Sequence, residues 1–199
     1  MKLAITKRKI FVAAGFVLVA FCLAVIIPTL YYRYSNAGSV QTHALASVKP
    51  VKVNPTIPVI SGQPVSIQIP SLNISNPIID GYYNPSNGEW TLTNDKAQFV
   101  TTTSLPNNTS GNTFIYGHYR PEVFAYLHLI KPGATAIVTT DNGYQFTYTF
   151  ASTYPTTPQD TSVLGAYQGP PILTVQTCSG AFFQNRQMYL FNYVGYQKV

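Results

Sequence analysis

Cysteine, histidine and arginine stand in this chain where they could carry out acyl transfer through a thioester. Cys178 closes the apolar, β-branched run 172–177, and Arg186 follows eight residues later. His118 lies sixty residues upstream, directly after a strand-like run that ends in Gly117. A thiolate attacks a carbonyl carbon when a nearby base or a lowered pKa makes it available, and a guanidinium can donate hydrogen bonds to the oxyanion that forms. These three residues are therefore the candidate catalytic set.

The short connection between Cys178 and Arg186 predicts that the two side chains are neighbours. Only residues 179–185 separate the strand that ends in Cys178 from the strand that begins near Arg186. Two strands joined so shortly should pair in antiparallel fashion, which would bring the guanidinium close to the thiol.

The remaining histidines give no metal-ligand spacing. His43 lies in a proline-rich stretch, and His128 lies in the apolar run 126–130, where a structural or surface role is the better interpretation. Three scattered histidines and one external cysteine do not form a zinc site. We therefore expect no metal and no cofactor.

The N-terminal part of the chain indicates a membrane anchor. Residues 10–30 form a run without any charged side chain, and this run is about as long as a helix must be to cross a bilayer. Four cations precede this run and only Arg33 follows closely, so the positive-inside rule places residues 1–9 in the cytoplasm and the rest outside. We expect an anchor over 10–32. A signal peptide cleaved near Ala44-Leu45-Ala46 is the alternative.

The net charge of +6 does not indicate a nucleic-acid binder. Residues 1–34 hold five of the twelve cations and no acid, so the remainder, with seven cations and six acids, is nearly neutral.

Cys22 lies in the predicted anchor and Cys178 in the external part, so this topology excludes a disulfide between them. Prolines spaced through 33–64 favour an extended stalk.

From Val65 onward the chain predicts an all-β domain over 65–199. Short β-prone runs are separated by turn signals, and the predicted strands are 65–69, 73–79, 90–92, 113–116, 136–140, 144–150, 172–177 and 187–193. Asp141-Asn142-Gly143 predicts a hairpin. One short helix is predicted over 121–129, with Phe124, Leu127 and Leu129 facing the core. Eight strands in a domain of this size favour a small closed or nearly closed β-barrel.

These features resemble the sortases, the cysteine transpeptidases of Gram-positive-type cell surfaces. The resemblance runs from about Val65 to the C-terminus. It is carried by Thr177-Cys178 with Arg186 downstream, by the segment 111–118 leading to His118, by Phe124 and Leu127, by the Leu-x-x-x-Gly turn 129–133, and by Pro158 and Asp160 before Val163-Leu164.

The resemblance implies an eight-stranded sortase-like barrel with one or two short helices, held outside a bacterial membrane by an N-terminal helix. Cys178 would be the nucleophile, His118 the proton donor to the leaving amine, and Arg186 the oxyanion-binding cation, while Thr177 would help to shape the substrate site. The substrates would be surface proteins or pilins with an LPxTG-like sorting signal. The acceptor would be an amine of a cell-wall precursor or a pilin lysine.

Some residues depart from the family pattern, and other functions compete with it. Ala134 replaces the acid that often follows the turn glycine, the connection from Cys178 to Arg186 is short, and the acids are too few for a calcium site. An L,D-transpeptidase would have histidine and glycine before the cysteine, where this chain has Gln176-Thr177. A papain-like peptidase would open a helix with its cysteine. A non-enzymatic membrane-anchored adhesion or binding module is the alternative of another class.

Overall fold

The computed structural model describes residues 58–199. This part of the chain forms ten β-strands and three short 3-10 helices. The strands are β1 (Pro64–Ile69), β2 (Ile74–Gly81), β3 (Tyr83–Asn84), β4 (Glu89–Trp90), β5 (Ala97–Val100), β6 (Asn112–Tyr116), β7 (Thr135–Thr140), β8 (Tyr144–Thr156), β9 (Ile172–Ser179) and β10 (Asn185–Lys198). The 3-10 helices span Pro70–Leu72, Ala125–Leu129 and Ser162–Leu164.

Eight of the strands close into a barrel in the order β1-β2-β5-β6-β9-β10-β8-β7. Most neighbours pair in antiparallel fashion, but β2 pairs with β5 and β6 pairs with β9 in parallel. The turn at Asp141-Asn142-Gly143 joins β7 to β8 as a hairpin, with Gly143 at a φ of 78°. The expected all-β, eight-stranded barrel is confirmed.

The alternation of side chains builds two apolar clusters on opposite faces of the barrel wall. The barrel interior contains fully buried residues from most strands, among them Ile67, Val138, Phe146, Leu173 and Phe191. A second cluster lies on the other face of β6 and β10 and contains Phe114, Tyr116, Val163 and Met188. Burial of one such side chain contributes about 1.5–3 kcal/mol. The wall that carries the candidate residues is therefore packed on both sides.

Trp90 belongs to a two-stranded ribbon outside the barrel, so its assignment to a barrel strand was wrong in detail. β3 and β4 form this ribbon, and Trp90 packs edge-on against Phe114 and Tyr116 at ring-centroid distances of 5.7 and 4.9 Å. The eighth barrel strand is instead β5, whose four residues are all buried. Because both faces of β5 are covered, its sequence lacks the alternation that indicates a strand.

The predicted helix over 121–129 is shorter in the structure. Only Ala125–Leu129 is helical, as a 3-10 helix, and backbone hydrogen bonds to Arg120 form turns before it. Phe124 and Leu127 are buried as expected, but Leu129 is 53% exposed, because a 3-10 turn repeats every three residues and places it away from the core.

The predicted tail, anchor and most of the stalk lie outside the described residues, as does His43. The end of the predicted stalk is described, and its backbone contacts the domain: Gly62 N donates to Pro106 O at 3.3 Å, and Asn108 Nδ2 donates to Pro58 O at 2.9 Å. Within residues 58–199, no helix has the length and apolar character that crossing a membrane requires.

Candidate active site

Cys178 lies at the penultimate position of β9 and is partly exposed. It is a free thiol. The six residues before it in β9 are all buried, so the strand holds a fixed position while its last two residues emerge from the wall. A reactive cysteine needs both solvent access and a rigid support, and this strand end provides them.

The parallel pairing of β6 with β9 brings His118 level with Cys178. Tyr116 is the register partner of Gln176, and Gly117 N extends the pairing by donating to Gln176 O at 3.1 Å. His118 is the next residue, and its carbonyl accepts a hydrogen bond from Phe124 N at 3.2 Å. The histidine is thus fixed on both sides.

Thr177 links the same two segments. Its side chain is 1% exposed, and Oγ1 donates to Gly117 O at 3.0 Å. This contact ties the residue before Cys178 to the residue before His118. A contact of Thr177 with substrate stays a prediction.

Gly117 has no space for a side chain. A Cβ atom there would lie 2.7 Å from Val123 Cγ1 and 3.0 Å from the Phe124 ring. We expect Gly117→Ala to lower the free energy of unfolding by about 1–3 kcal/mol and to displace His118, because overpacking forces neighbours to move. Thermal unfolding measures the effect. Gly195→Ala is the matched control, since a Cβ at Gly195 meets nothing within 4 Å. Equal melting temperatures of the two variants would contradict the prediction.

Arg186 is the direct cross-strand partner of Cys178. β9 and β10 pair in antiparallel fashion, and the register opposes the two residues. Directly opposed side chains lie on the same face, with Cβ atoms about 4.5–5.5 Å apart. Arg186 Nη1 donates to Phe183 O at 3.2 Å and to Asn185 O at 3.0 Å. Both bonds use Nη1, which leaves the Nε and Nη2 donors for a bound group.

The pKa of His118 is lowered from its ordinary value. Burial of the ring is the main cause, and the positive charges of Arg120 and Arg186 add to it. A lower pKa makes the imidazolium a stronger acid but a rarer one at neutral pH.

We expect Arg120→Gln to raise the pKa of His118, because the substitution removes a nearby positive charge that disfavours the imidazolium. If His118 acts as an acid, the decline of activity with rising pH will move to higher pH. Titration of the His118 ring by NMR measures the first effect, and a pH–rate profile measures the second. Lys198→Gln, at the other end of β10, removes the same charge and serves as the control. A His118 pKa that does not change in Arg120→Gln would exclude this electrostatic effect.

Cys178 opens into a surface groove of about 590 Å³. The groove is lined mainly by aromatic and apolar side chains: Tyr119, His128, Ile130, Phe150, Thr153, Cys178, Ser179, Gly180, Phe183, Gln187 and Tyr189. Within the groove wall, Tyr119 packs against two other rings, with centroid distances of 5.7 Å to Phe183 and 6.1 Å to His128. The groove therefore leaves the thiol accessible from solvent along a mainly apolar wall.

A family model of the sortase domain matches residues 67–196, well over half of the chain. The chain belongs to the sortase family. At the level of the family it is a sortase-type cysteine transpeptidase. No curated protein matches the sequence.

Solved sortase structures of several classes share the fold. Sortase E1 from Streptomyces coelicolor, with a tripeptide in its active site, is 24% identical, with a TM-score of 0.54 over 69% of this chain and 91% of that chain. Sortase C-1 from Actinomyces oris is 23% identical, with a TM-score of 0.52 over 67% and 76%. Listeria monocytogenes sortase A is 19% identical, with a TM-score of 0.54 over 68% and 90%. Identities this low establish the barrel and leave the subclass open.

In this sortase the structure brings the three predicted catalytic residues to neighbouring strand ends. It also places His128, interpreted from sequence as structural or surface, on the groove wall with Cys178. Sequence reasoning missed Tyr119, Phe183 and Tyr189 as groove residues. One signal was available for two of them, since Tyr119 follows His118 and Phe183 lies in the connection between Cys178 and Arg186. Among the described residues, no group of three or more His, Cys, Asp or Glu side chains could hold a metal ion.

Proposed function

We propose that this sortase cleaves an LPxTG-like sorting signal through a thioester on Cys178 and transfers the acyl group to an amine. The acceptor is an amine of a cell-wall precursor or a pilin lysine, and the substrates are surface proteins or pilins. The observation that carries the proposal is the register: Arg186 is directly opposite Cys178, and the pairing of β6 brings His118 level with both. The open groove at the thiol gives a peptide access.

In the first step the Cys178 thiolate attacks the carbonyl carbon of the scissile peptide bond. The oxyanion that forms accepts hydrogen bonds from the Nε and Nη2 groups of Arg186, which Phe183 O and Asn185 O hold in place through Nη1. The His118 imidazolium donates its proton to the leaving amine, the C–N bond breaks, and the thioester remains. The lowered pKa of His118 makes its imidazolium a stronger proton donor in this step and also reduces the fraction of protonated ring at neutral pH.

In the second step an amine attacks the thioester carbonyl carbon and gives up one N–H proton to the neutral imidazole that His118 became in the first step, which restores the imidazolium. The C–S bond breaks, because a thiolate is a better leaving group than the amide nitrogen that forms. Water is the competing nucleophile and gives the free acid. The ratio of amide to acid therefore measures how well the enzyme accepts its amine.

The proposed location follows from the N-terminal sequence. Residues 10–32 would anchor the enzyme in a bacterial cell membrane as a single span, with the N-terminus in the cytoplasm and the barrel outside. In that position Cys178 would meet sorting signals as they emerge from the membrane. Cysteine accessibility to a membrane-impermeant reagent on intact cells tests this placement.

A peptide panel tests the proposed function. The full chain is incubated with peptides that vary an LPxTG-like motif, with a glycine amide or a lysine-containing peptide as acceptor. We expect a mass increase on Cys178 equal to the acyl fragment, followed by an amide product. A thiol-directed vinyl sulfone should compete for the same residue, and His118→Ala should slow its reaction. A folded chain with an unreactive Cys178 and no thioester would leave the inactive binding module as the better interpretation.

A further inference from the structure

We propose that Phe183 is a positioning residue of this sortase: its backbone carbonyl holds the Arg186 guanidinium in place beside Cys178, and its ring keeps the backbone in the conformation that makes this contact. The inference rests on the proposed function, in which Arg186 binds the oxyanion, and it adds a residue to that site. Phe183 acts through Arg186 and not on the reacting atoms.

Phe183 has a backbone conformation that its residue type rarely adopts. Its φ is 55°, in the left-handed region. Among residues 58–199 the other non-glycine residue in that region is Asn73, which caps a 3-10 helix and whose short polar side chain tolerates the conformation. A bulky residue there carries a strain that glycine does not, and such strain persists only where neighbouring contacts outweigh it.

The left-handed conformation directs the Phe183 carbonyl to Arg186. Phe183 N donates to Gly180 O at 3.1 Å, so residues 180–183 close a tight turn directly after β9. The Phe183 carbonyl oxygen then accepts a hydrogen bond from Arg186 Nη1 at 3.2 Å. Because φ is the rotation about the N–Cα bond, a negative φ at Phe183 would turn this carbonyl away from the guanidinium. The contact therefore depends on the strained conformation.

The carbonyl of Phe183 is the contact that ties the guanidinium to the turn. The other hydrogen bond of Arg186 Nη1 ends on Asn185 O at 3.0 Å, which belongs to the preceding residue and so constrains the side chain less. A carbonyl oxygen binds a charged donor more strongly than a neutral one. Donors stabilise an oxyanion best when they are in position before it forms. Loss of the Phe183 contact should therefore slow the step in which the oxyanion forms.

The ring of Phe183 supplies the contact that offsets the strain. Phe183 is 54% exposed, so burial in the core does not explain a phenylalanine at this position. Its ring lies against Tyr119, with 5.7 Å between the ring centroids, and aromatic pairs at this distance stabilise each other. Tyr119 directly follows His118. The ring thus holds the turn that positions Arg186 against the segment that carries His118.

The alanine and glycine variants of Phe183 separate its backbone from its ring. Both remove the ring, but glycine adopts a positive φ without strain and alanine does not. The full chain is incubated with the best sorting peptide of the panel, without acceptor, and thioester formation on Cys178 is followed by quenched mass spectrometry. We expect Phe183→Ala to lower the maximal acylation rate about tenfold, because fewer molecules keep Arg186 in place. Phe183→Gly should stay within about threefold of the unmodified chain.

Three controls show that the effect passes through Arg186. The half-saturating peptide concentration should not change in either variant, since the oxyanion exists only after the attack begins. The vinyl sulfone forms no carbonyl oxyanion when it adds to Cys178, so both variants should react with it at the rate of the unmodified chain. Phe182→Ala makes the same truncation at the neighbouring residue, which is 87% exposed, and should leave acylation unchanged.

Equal acylation rates in Phe183→Ala and Phe183→Gly would overturn the proposal, because the backbone conformation would then have no effect. A higher half-saturating peptide concentration in both variants would overturn it by assigning the ring to peptide binding. Slow reaction of Phe183→Ala with the vinyl sulfone would overturn it by showing that the thiol itself is disturbed. Absence of any thioester in the unmodified chain would instead overturn the proposed function, and this inference with it.

Discussion

Replacement of Cys178 by alanine is expected to abolish both the acyl-enzyme and the amide product. The proposed reaction has no other nucleophile, so the rate should fall by at least about 10³-fold, to the level of the uncatalysed background. Cys178→Ser is expected to be almost as inactive, because a hydroxyl is far less acidic than a thiol and remains protonated without a strong base. Steady-state assays with the sorting peptide, combined with mass spectrometry of the protein, measure both effects.

The partial exposure of Cys178 makes this variant interpretable. Because the residue emerges from the end of β9 and does not fill the barrel interior, its truncation should leave the thermal unfolding temperature nearly unchanged. Loss of activity in a protein of unchanged stability then reports on chemistry. Peptide cleavage that persists in Cys178→Ala would show that another residue or a contaminant performs the reaction.

The barrel was predictable where one face of a strand is buried and the other is not. β7 alternates between buried and partly exposed residues along Thr135–Thr140, and its hairpin signal marks where the chain turns. β5 gave no such signal, because all four of its residues are buried. Trp90 wrongly indicated a barrel strand, since a β-prone aromatic residue also suits a ribbon that packs onto the barrel from outside. Seven of the eight barrel strands followed from local pattern, but β5 and the order of the strands in the barrel did not.

The candidate site was predictable only where its residues are close together in the sequence, because pairings between distant segments leave no local pattern. The pairing of Cys178 with Arg186 followed from their short connection, and the register confirms that they are opposed. The position of His118 depends on a parallel pairing between segments sixty residues apart, which only the resemblance to a known family suggested. His128 lies on the groove wall and packs against Tyr119, and no spacing in the sequence indicates that position.

Arg186 should account for the second large loss of activity. We expect Arg186→Gln to lower kcat/KM by about 10²–10³-fold, the usual effect of removing an oxyanion donor. Arg186→Lys should recover only part of this, because an ammonium keeps the charge but cannot both bond to the carbonyls of Phe183 and Asn185 and present a planar pair of donors. Kinetics with the sorting peptide measure both variants.

The pKa of His118 shows whether a variant of Arg186 has lost the positive charge or only the hydrogen-bonding geometry of the guanidinium. Since the Arg186 charge is among the causes that lower this pKa, Arg186→Gln should raise it, whereas Arg186→Lys should leave it close to that of the unmodified chain. NMR titration of the His118 ring provides this readout independently of turnover. If Arg186→Lys were fully active, a point charge would suffice and the hydrogen-bonded fork would have no catalytic role. If Arg186→Gln were fully active, oxyanion stabilisation would have to come from backbone N–H groups near Cys178 instead.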